Sequence, residues 1–347
     1  MDFIALISPL ILSLFIALIF MPLVIRFSTL MNIVDMPGQR KVHDSPVPTL
    51  GGLAFSIAFV ITCMVFMPYD HLLYGLLAGL IVIMTIGLID DLYHLEPWIK
   101  FIAEILASLL FIMISGFSIK SFGSLFTADV LTTGRFHIPV TVFCMIGVMN
   151  AWNMIDGLDG LAAGVSIIAA VFVAYLAWQC QVNEVVIILL ALIGSVAGFL
   201  FFNKHPARIY MGDIGSLVLG YVLSAMCIVT VNFRSCDEPV APVSMAILMG
   251  LPIVDAIRVM SLRLLSGHSP FLADNTHLHH NLMAIGLTHK YVVYCIYLLM
   301  ASCGILALVL SQLPEFIQFY IGSCYALLIF GSVFLLRKIK DKGQKSG

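Results

Sequence analysis

Charge is what this sequence has least of. Of its 347 residues only 10% are Asp, Glu, Lys or Arg, against about 25% in soluble globular domains, which excludes a water-soluble globule. No basic run precedes the last eleven residues and the net charge is −2, so nothing calls for nucleic acid as a partner. Cysteine is present but unpatterned: Cys63, Cys144, Cys180, Cys227, Cys236, Cys295, Cys303 and Cys324 show no CxxC and no zinc spacing. They read as small hydrophobes. There is no internal repeat and no low-complexity segment, so one domain over 1–347 is expected, closing in a basic tail at 337–347.

What the chain has in abundance is apolar sequence, 61% of all residues with a mean hydropathy of +1.08. A helix needs about 20 apolar residues to cross a hydrocarbon core. Runs of that kind between polar breaks predict an all-α polytopic membrane protein with eleven transmembrane helices, near 3–26, 50–67, 72–89, 98–116, 138–153, 160–178, 184–202, 214–232, 240–261, 291–310 and 315–336. The runs near 50 and 138 are among the shorter ones. The first run is too long for a signal-peptide core and lacks a basic flank, so it counts as a span.

Basic residues orient the spans. With the first connection inside, Arg26, Arg40, Lys41, Lys100, Lys204, Arg208, Arg258, Arg263, Lys290, Arg337, Lys338, Lys340, Lys342 and Lys345 all face the cytoplasm, fourteen of the seventeen Lys and Arg. Lys120, Arg135 and Arg234 fall outside. The N-terminus is therefore expected outside and the C-terminus in the cytoplasm. On this topology five polar connections share the cytoplasmic face: "DMPGQRKVHDSPVPTLGG" (35–52), "DDLYHLEPWIK" (90–100), "NAWNMIDGLDG" (150–160), "NKHPARIYMGD" (203–213) and "LRLLSGHSPFLADNTHLHH" (262–280). Five loops on one face can converge on one site, where a water-soluble and a lipid-borne substrate can meet.

The adjacent Asp90 and Asp91 pose a problem. They end a helix, where the macrodipole disfavours negative charge, and they repel one another. A plain membrane boundary would tolerate one such acid. The pair, together with Asp156, Asp159 and Asp213 on the same face, points instead to a divalent cation and phosphates. Oxygen ligands without thiolate favour magnesium, with manganese as the substitute.

Five motifs in order, "PTLGG", "GLIDD", "NAWNMIDGLDGLAAG", "IYMGDIGS" and "HLHH", closely resemble those of the polyprenyl-phosphate N-acetylhexosamine-1-phosphate transferases, and among them the bacterial undecaprenyl-phosphate GlcNAc-1-phosphate transferases. The resemblance spans nearly the whole chain. It implies transfer of GlcNAc-1-phosphate from UDP-GlcNAc to undecaprenyl phosphate with release of UMP, the first lipid-linked step of an envelope polysaccharide such as a lipopolysaccharide or wall polymer. It also implies magnesium ligation by Asn153 and Asp213, a uracil contact at Asp159 with Tyr210 stacking on the base, and Asp156 in the same pocket. His277, His279 and His280 with Arg263 become a diphosphate cradle, Lys100 a phosphate contact, and Asp90 and Asp91 the catalytic pair. Relatives that transfer a MurNAc-pentapeptide phosphate carry three successive histidines where HLHH stands here, and a lysine where this chain has Ser45.

Each residue also has a plainer reading. Asn153 fits a helix C-cap, Tyr210 an interfacial anchor, the HLHH histidines a zinc site or solvated loop residues, and Lys100 an ion pair with Glu104 one turn on. Two other classes compete with the transferase. An ion-coupled transporter would carry its acids near the midplane, whereas the aspartates of the polar connections sit at helix ends; Asp255 lies well inside a run, with Arg258 one turn on as its partner. A phosphotransferase using CDP-linked lipids would have an Ala-Arg after its DG, and "DGLAAG" lacks the arginine. The exact UDP-sugar, a one-step or two-step route, and the oligomeric state, a homodimer included, stay open.

Overall fold

The computed structural model describes residues 3–36, 46–126, 129–233, 240–267 and 276–345, with side chains described from 6 to 332. Arg40, Lys41, Ser45 and Arg234 therefore lie outside the described residues, as do the side chains of the 337–347 tail. The described chain is helical almost throughout. In order it forms α1 (Phe3–Leu30), β1 (Val34–Asp35), β2 (Val47–Pro48), α2 (Gly51–Phe66), α3 (His71–Tyr93), α4 (Pro97–Ser115), α5 (His137–Ile155), α6 (Leu161–Gln179), α7 (Asn183–Asn203), α8 (Gly212–Asn232), α9 (Pro242–Leu248), α10 (Gly250–Leu265), α11 (Leu278–Ala284), α12 (His289–Leu310) and α13 (Glu315–Lys345). The strands β1 and β2 pair antiparallel in a two-residue clasp across the first connection.

Helix ends follow local chemistry. Asp70 caps α3 by accepting from Leu73 N at 3.0 Å, and α3 stops at His94, whose φ of 51° is left-handed. α4 opens with Pro97, where the missing N–H costs nothing, and closes on Gly116 at φ 76°.

Among the described residues nine helices are long and apolar enough to cross a membrane, and a bent pair would make a tenth. The expected eleven are thus not established. α2 has only 16 residues, about 24 Å of helix against a hydrocarbon core of about 30 Å. The expected continuous span at 240–261 is broken into α9 and α10, which meet at 72°. Pro252 explains the break: it removes the N–H that would bond the Leu248 carbonyl, and its ring collides with that carbonyl.

α8 is the axis of the bundle. Nearly all of it is buried, and it packs against α2, α3, α5 and α6. Between apolar helices in lipid, close backbone packing and side-chain hydrogen bonds replace the hydrophobic drive. A Cβ on Gly87 of α3 would come within 2.6 Å of Ile214 Cα on α8, so only glycine permits this approach. Tyr221 of α8 reaches the carbonyls of Gly75 and Leu76 at 3.2 Å, and Trp152 of α5 donates to Ser166 of α6 at 2.8 Å. The start of α8 is thereby fixed beside the end of α3, which sets the geometry of the site.

Candidate active site

The described parts of the five polar connections meet at one end of the bundle. Tyr210 N donates to Pro48 O at 2.7 Å, and Gly51 N and Gly52 N donate to Tyr210 O and Met211 O at 2.9 and 2.7 Å. The first and fourth connections are therefore stitched together by backbone hydrogen bonds. Gly160 N donates to Asn203 Oδ1 at 2.9 Å, joining the third to the fourth. The HLHH segment lies on the third: a Cβ on Gly157 would meet His279 Nε2 at 2.4 Å.

At the centre stands Asp213, in the first turn of α8. Lys100 Nζ donates to Asp213 Oδ2 at 2.7 Å and to Asp90 Oδ2 at 2.8 Å, bridging the two carboxylates. Asn153 Nδ2 donates to Asp213 Oδ1 at 3.1 Å and to Ser216 Oγ at 3.0 Å. The other oxygen of Asp90 accepts from Leu95 N at 2.7 Å. Asp91 points the opposite way: its Oδ1 accepts from Asp213 N at 2.8 Å and Oδ2 lies 3.5 Å from Ile214 N. Asp91 is thus the carboxylate cap of α8. The dipole that disfavours it at the end of α3 is offset by the positive start of α8.

Lys100 pairs with Asp90 and Asp213, not with Glu104 as its plainer reading had it. Glu104 is buried and accepts from Asn150 Nδ2 at 2.6 Å. Because Asn150 precedes Asn153 by one turn on α5, this bond ties α4 to α5 and holds Lys100 opposite Asn153. Glu104, Asn150 and Ser216 were not singled out from sequence as site residues. For Glu104 the signal was available, an acid within the apolar run 98–116.

Asp159 Oδ2 accepts from His205 Nδ1 at 2.7 Å and Ala207 N at 3.2 Å, and His289 Nε2 lies 3.3 Å from Asp159 O. Tyr210 is half-buried and faces the same region: burial first, and the Asp159 charge next, push its hydroxyl up to about 12. Asp156, at the end of α5, is exposed to solvent on one side and crowded by neighbouring groups on the other. That crowding, with Asp213 and Asp159 near, raises its carboxyl to about 7.

The HLHH segment is held from below. Asp255, buried on α10, pairs with Arg258 at 2.7 Å as its spacing foretold. It also accepts from His277 Nδ1 at 3.1 Å and Leu278 N at 3.1 Å, while Arg258 donates to Thr276 O at 2.6 Å. His279 is 3% exposed; burial, then the neighbouring His280 and His277, lower it to about 3, so it is a neutral imidazole. His280 is less buried, and Arg263 is buried near the end of α10.

Whether these residues suit a divalent cation turns on donor chemistry. Asp213, Asp90 and the Asn153 amide supply hard oxygens without a thiolate, and the Lys100 ammonium already sits between two of the carboxylates as a positive charge. The set fits magnesium.

Fold and site define a polytopic membrane protein with a carboxylate, amide and lysine centre at the converging loops of its bundle. A family model described as glycosyl transferase family 4 matches residues 73–231. A Bacillus subtilis (strain 168) protein named "Probable undecaprenyl-phosphate N-acetylglucosaminyl 1-phosphate transferase" is 35% identical over 325 residues, 92% of this chain and 88% of its own. Proteins named "Undecaprenyl-phosphate alpha-N-acetylglucosaminyl 1-phosphate transferase" are also similar. The one from Yersinia pestis is 28% identical over 86% of this chain and 83% of its own, and that from Escherichia coli (strain K12) 27% over 83% and 80%. This chain belongs to glycosyl transferase family 4.

Proposed function

We propose that the protein transfers GlcNAc-1-phosphate from UDP-GlcNAc to undecaprenyl phosphate, yielding undecaprenyl-diphosphate-GlcNAc and UMP, as the first lipid-linked step of a cell-envelope polysaccharide. The observation that carries this reading is the bridge of Lys100 between Asp90 and Asp213, with Asn153 on the other oxygen of Asp213. Its residues come from three of the connecting segments, and it lies within a chain 35% identical to a transferase of that name over 92% of its length.

In this mechanism a lipid phosphate oxygen attacks the β-phosphorus of the UDP-sugar in line, and the bond to the UMP oxygen breaks. Charge accumulates on non-bridging oxygens, and preorganised cations there do most of the work. Lys100 supplies one such charge. Asn153 and Asp213, with Asp90 beside them, would hold magnesium, which supplies further charge neutralisation when bound. Manganese would serve in its place. Asp91 keeps Asp213 in position through the cap, and a phosphate monoester with a second pKa of about 6 is already mostly dianionic at neutral pH. The aspartate pair therefore orients more than it deprotonates.

Asp159 and Tyr210 bind the uracil, with Asp156 in that pocket, and His277, His279, His280 and Arg263 line the diphosphate. His279, being neutral, contributes a hydrogen bond and not a charge. The chain runs from an outside N-terminus to a cytoplasmic C-terminus in the inner membrane, with the site on the cytoplasmic face, supported by the fourteen basic residues on that side. The test is purified protein with undecaprenyl phosphate and a panel of UDP-sugars, reading UMP release. UDP-GlcNAc should be turned over in preference to the other UDP-N-acetylhexosamines; no UMP release with any sugar overturns the reading.

A further inference from the structure

We propose that Asp159, His205 and His289 form a second metal site, separate from the carboxylate and amide centre and suited to zinc and its borderline relatives. Three segments remote in sequence contribute one residue each: the turn between α5 and α6, the connection after α7, and the first turn of α12. One ligand atom from each lies within 4.8 Å of the other two.

The arrangement is built, not merely crowded. Asp159 and His205 already touch at 2.7 Å. The two imidazoles stack with centroids 4.2 Å apart and planes 21° apart, which brings their nitrogens close. His289 has hydrogen-bonding capacity the protein does not use: Nδ1 is buried without a partner among the described residues, and Nε2 has only the long 3.3 Å contact with Asp159 O. A metal ion takes up such a lone pair.

A tetrahedral ion with bonds of about 2.0–2.1 Å requires ligand atoms about 3.3 Å apart. The ligand atoms, within 4.8 Å of one another, must draw in to reach that spacing, and the Asp159 and His205 side chains, 15% and 35% exposed, have open space on one side in which to turn. The exposed side leaves a fourth position for water. Two imidazoles and one carboxylate select zinc, cobalt or nickel over magnesium, which prefers an oxygen shell. The two sites therefore sort their metals by ligand type.

Loading has a consequence that rests on the proposed uracil contact. The ion engages Asp159 Oδ2, so zinc and the UDP-sugar compete for one carboxylate, and the metal inhibits from the donor side.

The experiment titrates purified full-length protein in detergent with Co²⁺ under excess Mg²⁺, following the visible absorption of low-symmetry cobalt, and repeats it with Zn²⁺ as competitor. One equivalent of tightly bound Co²⁺, displaced by Zn²⁺, is expected. Its dissociation constant should rise at least about tenfold in His205→Gln and in His289→Gln, no less than the loss of an outer partner costs elsewhere. Thermal melting checks that both variants remain folded. Absence of a bound equivalent, its retention in both variants, or its loss in His280→Gln instead overturns the site. Zinc inhibition that fails to compete with UDP-GlcNAc, in protein that binds cobalt as expected, would overturn the uracil assignment of Asp159 and leave the metal site standing.

Discussion

The carboxylate of Asp91 accepts the backbone N–H of Asp213 at 2.8 Å, so the last turn of α3 caps the first turn of α8. One acid of the Asp90–Asp91 pair positions the backbone of a proposed metal ligand; the other shares Lys100 with that ligand's side chain. Two like charges side by side are tolerated because each has a different partner. Asp90 has an ammonium and Asp91 a helix N-terminus.

This division predicts how the pair responds to substitution. Asp91→Asn keeps an oxygen for the cap and should stay folded, whereas Asp91→Ala loses the cap at a cost of about 1 kcal/mol and shifts Asp213. UMP release should fall further in Asp91→Ala than in Asp91→Asn. For Asp90→Asn and Asp91→Asn the loss relative to wild type should stay flat from pH 7 to 9. A loss that shrinks as pH rises would identify an obligatory base.

Gly212 makes the cap sterically feasible. Its φ is +72°, and a Cβ there would stand 2.5 Å from both Asp91 Oδ2 and Thr49 O. Gly212→Ala carries the left-handed cost of about 1–2 kcal/mol and displaces Asp91. A misplacement of about 1 Å at a reacting centre can cost on the order of 10²-fold, so turnover should drop by about that factor. Gly267, also at positive φ but with no atom within 4 Å of a Cβ, serves as the comparison: Gly267→Ala should leave turnover within a few-fold. Equal losses in the two variants would remove the steric argument.

Much of this was legible in the sequence. The five polar connections did converge, because apolar runs of spanning length leave their loops only two faces to occupy. Asp213, Asn153, Lys100, Asp90 and Asp91 stand together as motif order implied. The broken helix was missed although Gly250 and Pro252 marked it, since average hydropathy does not register a missing N–H. The plainer reading of Lys100, an ion pair with Glu104 one turn on, gives way because the packing of α3 on α8 through Gly87 brings Asp90 and Asp213 to its ammonium. The His205–His289 stack joins residues 84 positions apart, and no periodicity reports such a pairing.

Lys100 predicts an unusual response to magnesium. Its ammonium stands 2.7 Å from one carboxylate oxygen of Asp213, where it would repel a cation bound to the same group while neutralising the phosphates of the proposed reaction. Lys100→Gln should therefore lower turnover on the order of 10²-fold, as loss of one preorganised charge donor does, yet reach half-maximal activity at less magnesium than wild type. Asp213→Ala should be inactive at every magnesium concentration. The measurement is UMP release over a magnesium titration. An increased magnesium requirement in Lys100→Gln would mean that the lysine recruits the metal site instead of opposing it.

His279 gives the stability of the HLHH segment a pH dependence whose sign follows from its burial. Its imidazole is held near 3 in the folded protein, against an ordinary value of 6.5, so protonation favours the unfolded or undocked chain. The stabilisation is complete above pH 6.5 and is lost as pH falls towards 3. Between pH 6.5 and 5 the loss amounts to about 2 kcal/mol, at 1.36 kcal/mol per pH unit. Gln at this position keeps a polar group against Gly157 but cannot titrate. Melting temperatures in detergent should therefore fall on acidification more steeply for wild type than for His279→Gln, the two curves running parallel above pH 7. The turnover of wild type from pH 7 to 9 should show no step belonging to His279, because its neutral form already prevails there. Parallel melting curves down to pH 5 would show that the ring is not shielded as its packing on Gly157 requires.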